Sequence, residues 1–233
     1  MTEALPTILV PGLACSPRLY AEQVPLLWGG GPVIVADHTR HDRMEAIADA
    51  VLAAAPPRFR LLGLSMGGYV ALAIMRRAPE RVDRLALLDT SARPDRPDQT
   101  ERRRQLMALA AQGRELEVAD TLYPALVHVD RRGDAVLHGV VRRMMAETGP
   151  EAFIRQEEAI IARADSRPSL SAIRCPTLVL VGEADTLTPP ELSQEMAAAI
   201  TGAELVVVPG SGHLSTLEEP AAVNQAIDAW MRR

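Results

Sequence analysis

The fold class is decided by one stretch, Phe59-Arg60-Leu61-Leu62-Gly63-Leu64-Ser65-Met66-Gly67-Gly68. The apolar run 59–64 is typical of a buried strand, and the residues after Gly67 carry apolar side chains at helical spacing. Glycine two positions before and two after Ser65 allows a sharp turn, because larger side chains would collide there. The stretch therefore predicts a strand, a tight turn that exposes Ser65, and a helix.

The same alternation of strand and helix runs along most of the chain. Short apolar runs that end in turn residues predict strands at Thr7–Val10, Val33–Ala36, Phe59–Leu64, Leu85–Leu88, Leu178–Val181 and Leu205–Val208. Helical periodicity predicts helices at 44–55, 67–78, 192–200 and 221–231. Strands that alternate with helices form parallel sheets covered on both faces. We therefore predict an α/β fold with a doubly wound, mostly parallel sheet of about six strands.

The alternation stops after the fourth predicted strand. Residues 93–168 contain helical patterns but no convincing strand, and proline-rich segments flank the block. The helical patterns cover residues 102–112, 115–126, 135–147 and 151–164. We predict an α/β core from residues 1–92 and 169–233, and we interpret residues 93–168, called the helical insertion below, as a lid.

Three side chains follow predicted strands, at the edge where open parallel sheets bind ligands: Ser65, Asp185 and His213. A serine hydroxyl is a weak nucleophile near neutral pH, so it needs a neighbouring base, and the base needs an anion that fixes its tautomer. We therefore predict Ser65 as nucleophile, His213 as general base and Asp185 as the acid that orients His213. The backbone N–H groups of Leu13 and Met66 are predicted to form an oxyanion hole, since one follows the first strand and the other follows the serine.

The assignment of the acid has alternatives. Asp89 also follows a strand, although a local role as a turn residue that caps itself beside Thr90 and Ser91 is adequate for it. Asp185 itself could be a turn or cap residue, and Thr186 and Thr188 could cap the following helix. The pattern Thr188-Pro189-Pro190-Glu191 predicts a capping box at the start of that helix. Asp185 is favoured over Asp89 because Asp89 leads directly into the helical insertion.

The composition favours a globular protein that acts on small molecules. The 233 residues are 48% hydrophobic and include 25 basic and 30 acidic side chains, which leaves no electrostatic footprint for nucleic acid or an anionic membrane. Residues 1–11 lack the pattern of a secretion signal, and no stretch is long enough to span a bilayer, so we predict a cytoplasmic protein. The sequence leaves the oligomeric state open.

Other patterns carry less chemistry. Cys15 and Cys175 match no metal-ligand spacing and predict two reduced thiols. The segment 37–42 holds two histidines and two carboxylates, but its place before a helix favours a cap at Asp42 over a metal site. The arginines of 102–104 are typical of a solvated helix turn. Four side chains of the helical insertion either line an acyl pocket or pack within the lid: Leu122, Tyr123, Met144 and Met145.

Four blocks together resemble the α/β-hydrolase superfamily: Val10-Pro11-Gly12-Leu13, Gly63-Leu64-Ser65-Met66-Gly67-Gly68, Leu178–Asp185 and Gly212-His213. The order serine, aspartate, histidine along the chain is also that of the family. The resemblance implies a small lidded serine hydrolase, similar to carboxylesterases and enol-lactone hydrolases, that cleaves a small carboxylic ester, thioester or lactone through an acyl-enzyme without a cofactor. Two alternatives stay open, a carbon–carbon bond hydrolase of the same fold and a non-enzymatic ligand-binding relative.

The sequence departs from the family pattern in two places. The family often has His-Gly after the first strand, whereas this chain has Pro11-Gly12, so the oxyanion loop is expected to differ in shape. The first predicted strand begins at Thr7, so the family's first hairpin is predicted to be missing. Neither departure removes the three candidate catalytic side chains.

Overall fold

The fold is described for residues 4–233 in a computed structural model of the chain, and the first three residues of the predicted segment 1–92 lie outside the described residues. The described residues form six strands: β1 (Thr7–Val10), β2 (Val33–Val35), β3 (Phe59–Leu64), β4 (Val82–Leu88), β5 (Thr177–Gly182) and β6 (Glu204–Val208). All six lie where the sequence predicts strands.

The strands form one sheet in the order β2-β1-β3-β4-β5-β6, and every neighbouring pair runs parallel. This confirms the predicted α/β fold with a doubly wound sheet. No strand precedes β1 in the described part of the chain, and β2 forms the edge on that side. The strand order reverses between β1 and β3, and the carboxyl ends of such strands border the crevice in which open α/β sheets bind ligands.

Helices cover both faces of the sheet. In chain order they are α1 (Val24–Trp28), α2 (Met44–Ala54), α3 (Met66–Arg77), α4 (Pro97–Ala110), α5 (Glu115–Leu126), α6 (Ala135–Thr148), α7 (Pro150–Ile161), α8 (Pro190–Ala199), α9 (Ser215–Glu218) and α10 (Pro220–Arg232). Side chains alternate between the two faces along each strand. Leu9 of β1 therefore packs with α1 and α10, whereas its neighbour Ile8 packs with α2, α3 and α8.

Helices α4 to α7 make up the helical insertion between β4 and β5, with no strand among these described residues. Helix α4 begins at Pro97, where proline is favourable at the first helical position. The predicted start at residue 102 is wrong, because the polar first turn has no apolar periodicity that would reveal it. The arginines of 102–104 therefore lie in the middle of α4. None of the helices described here combines the length and the apolar character needed to cross a bilayer.

Candidate active site

The turn after β3 is as sharp as its glycines predict. Ser65 adopts φ +54° and ψ −116°, a conformation that strains any residue with a side chain. A Cβ atom at Gly63 would lie 2.2 Å from the carbonyl oxygen of Gly67, and a Cβ atom at Gly67 would lie 1.9 Å from that of Val10. Both positions therefore require glycine, and the turn holds Ser65 at the carboxyl edge of the sheet.

The structure brings the three predicted side chains into one hydrogen-bonded row. The Ser65 hydroxyl lies 2.8 Å from Nε2 of His213, and Nδ1 of His213 lies 2.8 Å from Oδ2 of Asp185. A carboxylate only accepts hydrogen bonds, so Nδ1 carries the imidazole hydrogen and Nε2 accepts from the serine. Chemically, this row can take the proton of the Ser65 hydroxyl and hold the resulting imidazolium beside a fixed anion.

Asp185 is held by residues that follow it. Its Oδ1 accepts from the N–H groups of Leu187 and Thr188 at 2.8 and 3.0 Å, and its Oδ2 accepts from the Thr188 hydroxyl at 2.7 Å. Burial by itself raises the pKa of Asp185, but the charge and hydrogen bond of His213 and the bonds from Thr188 outweigh it, so the pKa lies below its ordinary value. The prediction that Thr188 caps α8 is wrong, because its hydroxyl bonds Asp185 and α8 has no side-chain cap.

The loop that carries His213 packs against the helical insertion. The His213 N–H donates to the carbonyl oxygen of Leu126 at 3.0 Å, and a Cβ atom at Gly212 would lie 2.6 Å from the backbone nitrogen of His128. Burial disfavours the imidazolium of His213, yet the charge and hydrogen bond of Asp185 outweigh it and place the pKa of His213 above its ordinary value of 6.5. His213 is thus buried, oriented by Asp185 and more basic than a free histidine.

Asp89 does not cap its own turn as predicted. It is fully buried, and its Oδ1 accepts from the N–H of Gly182 at 2.9 Å. Its Oδ2 accepts from the hydroxyl and the N–H of Ser215 at 2.5 and 3.3 Å. Burial and the neighbouring Asp185 raise the pKa of Asp89 to about 8. Asp89 therefore connects the end of β5 to the residues after His213, a long-range role that the local turn pattern does not reveal.

The two predicted oxyanion donors lie beside Ser65 and are free. A Cβ atom at Gly12 would lie 3.5 Å from Cβ of Ser65, so the loop after β1 passes directly over the serine. Within the described residues, neither the N–H of Leu13 nor that of Met66 donates a hydrogen bond. Met66 is also the first residue of α3, where the helix dipole favours negative charge. The two N–H groups can therefore donate hydrogen bonds to a developing oxyanion.

A cavity of about 570 Å³ opens onto Ser65 and His213. One wall is apolar and comes from the helical insertion, with Leu106, Leu122, Leu126, Val141, Met144 and Met145. Three of the four predicted pocket residues thus line the cavity. Tyr123 does not, because its ring is buried and its hydroxyl donates toward the carbonyl oxygens of Arg131 and Asp134 at 2.8 and 3.1 Å.

Comparison with known proteins identifies the family. The model of the alpha/beta hydrolase family matches residues 8–226. The chain belongs to the α/β-hydrolase family. It is similar to a pimeloyl-[acyl-carrier protein] methyl ester esterase of Neisseria meningitidis, with 27% identity over 92% of this chain and 72% of the relative. It is also similar to the 3-oxoadipate enol-lactonase 2 of Acinetobacter baylyi, with 28% identity over 76% of this chain and 65% of the relative.

Solved structures of the family give the same result. A thermophilic esterase from Thermogutta terrifontis has a TM-score of 0.88 and 33% identity, covering 98% of this chain and 89% of that one. An enol-lactonase from Burkholderia xenovorans has a TM-score of 0.90 and 26% identity, covering 99% and 92%. These relatives support hydrolase activity for this α/β-hydrolase and confirm its resemblance to esterases and enol-lactone hydrolases.

Part of the cavity lining in this α/β-hydrolase is charged, with Asp95, Arg103, Glu157 and Arg163 among its residues. Arg103 donates to Asp95 and to Glu157, both at 2.7 Å, and Arg163 donates to Asp95 at 2.7 Å. Burial raises the pKa of Glu157 although the Arg103 charge opposes the shift. Buried carboxylates need such partners, because an unpaired buried charge is costly. The expectation that the arginines of 102–104 form a solvated turn is therefore wrong for Arg103.

The structure also places the cysteine, the cap and the histidine-carboxylate segment that the sequence analysis considered. Cys15 is buried and its thiol pKa is raised to about 12 by burial, so it is a poor nucleophile. Asp42 does not cap α2, which is preceded by Arg43 without a side-chain cap. His38 is buried and its Nε2 lies 3.0 Å from the carbonyl oxygen of Gly12. Residues 4–233 contain no group of three or more His, Cys, Asp or Glu side chains placed to hold a metal ion.

Proposed function

We propose that this chain is a serine hydrolase that cleaves a small carboxylic ester, thioester or lactone through an acyl-enzyme intermediate. The proposal is carried by one observation: the row of Ser65, His213 and Asp185 ends beside two free backbone N–H groups. A ligand-binding relative has no use for a buried base with an oriented acid next to an oxyanion site, which favours an enzyme. The esterase and enol-lactonase relatives support a carboxylic ester or lactone as the substrate.

Each step of the proposed reaction uses groups of this chain. Ser65 Oγ attacks the acyl carbon while His213 Nε2 takes its proton, and Asp185 stabilises the imidazolium through Nδ1–H. The negative charge on the acyl oxygen is stabilised by the N–H groups of Leu13 and Met66. His213 then gives its proton to the leaving oxygen or sulfur. In the second half, His213 Nε2 takes a proton from water, which attacks the acyl carbon. His213 then returns this proton to Ser65 Oγ as the carboxylic acid leaves.

The helical insertion is proposed to act as a lid with a role in specificity. It supplies the apolar wall of the cavity and contacts the His213 loop through Leu126. Excluding water from such a cavity strengthens the electrostatic interactions within it. The chain length of the acyl group is then selected by the side chains of α4, α5 and α6 that line this wall.

Pre-steady-state hydrolysis of p-nitrophenyl esters tests the proposed function. Rapid mixing with the acetate, butyrate and octanoate esters should give a burst of nitrophenolate that approaches one equivalent per chain, followed by slower turnover, for at least one ester. The burst arises because acylation of Ser65 precedes hydrolysis of the acyl-enzyme. No turnover of these esters, of lactones or of thioesters would contradict the proposal. Turnover of vinylogous diketones alone would favour the carbon–carbon hydrolase.

Met145→Ala is expected to shift the acyl preference toward longer chains. Met145 is buried and lines the cavity on α6, so its truncation lengthens the apolar space. One methylene in such a pocket changes kcat/KM by roughly tenfold or more, and a gain of that size is expected for the longest ester. Val136→Ala is the matched control, since Val136 lies on the same helix with 80% exposure. An unchanged chain-length profile in Met145→Ala would place the acyl pocket elsewhere.

A further inference from the structure

Two buried polar side chains hold the loop after β1. His38 follows β2 and is 3% exposed, and its Nε2 lies 3.0 Å from the carbonyl oxygen of Gly12. Gln156 of α7 is 0% exposed, and its Oε1 accepts the N–H of Ala14 at 2.9 Å. The two side chains therefore bond the two peptide units on either side of Leu13.

The geometry of the peptide unit makes the His38 contact specific for the oxyanion donor. The Gly12 carbonyl and the Leu13 N–H belong to the same planar trans peptide, so they point in opposite directions. A carbonyl only accepts hydrogen bonds, so His38 Nε2 must carry a hydrogen and donate it. The Gly12 oxygen also accepts the Cys15 N–H at 3.1 Å, and the two bonds together fix the direction of the Leu13 N–H. The bond also polarises this peptide and strengthens its N–H as a donor.

Gln156 holds the peptide unit between Leu13 and Ala14, beside a backbone conformation that is unfavourable without such a contact. Ala14 has φ +56°, a left-handed conformation that is strained for a residue with a side chain. The amide nitrogen Nε2 of Gln156 is buried and has no hydrogen-bond partner among the described residues. A buried polar atom without a partner is destabilising. The hydrogen bond from the Ala14 N–H to Oε1 therefore explains why an amide side chain is buried at position 156.

We propose that His38 and Gln156 are positioning residues for the oxyanion hole, which orient the Leu13 N–H toward the acyl oxygen. The inference rests on the proposed function. His38 suits this task because burial lowers its pKa, so the imidazole stays neutral and keeps a single donor hydrogen. Gln156 belongs to the helical insertion, so the insertion takes part in forming the oxyanion hole in addition to covering the cavity.

The test compares His38→Leu with His38→Gln. Leucine removes the donor, whereas the side-chain nitrogen of glutamine has a reach similar to that of the imidazole Nε2. His38→Leu should lower kcat by about a hundredfold, the low end of the loss seen when one oxyanion donor is removed, with KM changed less than about threefold. His38→Gln should regain most of kcat. A boronic acid inhibitor, which forms a tetrahedral anionic adduct with serine, should weaken in parallel with kcat.

The control is His41→Leu, the same substitution three residues away at an exposed side chain, which should leave kcat unchanged. Should His38→Leu fail to fold, Gln156→Met decides the proposal, because methionine fills a similar volume without the oxygen acceptor. Gln156→Met should also lower kcat about tenfold or more at a nearly unchanged KM. A kcat within twofold of the parent in the folded variants, or a His38→Gln as impaired as His38→Leu, would overturn the inference. Failure of the proposed function is distinguishable, since the parent chain would then show no burst.

Discussion

Ser65→Ala is expected to lower kcat about a million-fold, because a nucleophilic serine, as proposed for Ser65, acts as a unit with its base and removal of one member disables the others. In the parent chain, a fluorophosphonate should form one covalent adduct, located on Ser65 by mass spectrometry of the peptides. Ser91→Ala is the matched control, since Ser91 lines the same cavity but lies outside the row. An adduct on another serine in active protein would contradict the assignment.

The pH dependence of this labelling tests the proposed role of His213 as general base. His213→Ala should abolish the adduct while the folded chain persists, because the Ser65 hydroxyl reacts rapidly only when Nε2 takes its proton. The pKa of His213 is raised, so the imidazolium persists to higher pH than in a free histidine. The labelling rate is therefore lost as pH falls, with a midpoint above pH 6.5. A midpoint below 6.5 would contradict the influence of Asp185 on the imidazole.

The sheet and the serine turn could be predicted because their signals are local. The apolar run before Ser65 and the two glycines around it are constrained by contacts within a few residues, such as Gly63 against Gly67. The strand-helix alternation then determines which ends meet at one edge of the sheet. His213 thus comes within hydrogen-bond distance of Asp185, 28 residues away in the chain, and of Ser65, 148 residues away.

The supporting polar contacts could not be predicted because their partners are distant in sequence. Thr188 has the spacing of a helix cap, and only the packing of β5 against β6 brings its hydroxyl and Asp185 to His213. Gln156 lies 142 residues from its partner Ala14, on a helix whose register against the core no local pattern fixes. Asp89 shows the same limit, since its partner Ser215 is 126 residues away.

Asp185→Asn is expected to lower kcat about ten-thousand-fold at pH 7, whereas Asp89→Asn should lower it less than about tenfold. The first loss follows because asparagine cannot fix the imidazole tautomer or stabilise its cation. The second is small because Asp89 makes no hydrogen bond to His213, and its oxygens accept from Gly182 and Ser215 instead. Asp185 has a lowered pKa and is ionised at the same pH.

Asp89→Asn is expected to change mainly the stability of the chain. Asp89 joins Gly182 to Ser215 within the core, so Asp89→Asn, which disturbs these buried bonds, should lower the free energy of unfolding by about 1–3 kcal/mol. Chemical denaturation and steady-state kinetics on the same preparations measure both effects. A large loss of kcat in Asp89→Asn with a small loss in Asp185→Asn would transfer the role of the acid to Asp89. Equal large losses would mean that the two carboxyls share it, which the separate hydrogen-bond partners of His213 and Ser215 argue against.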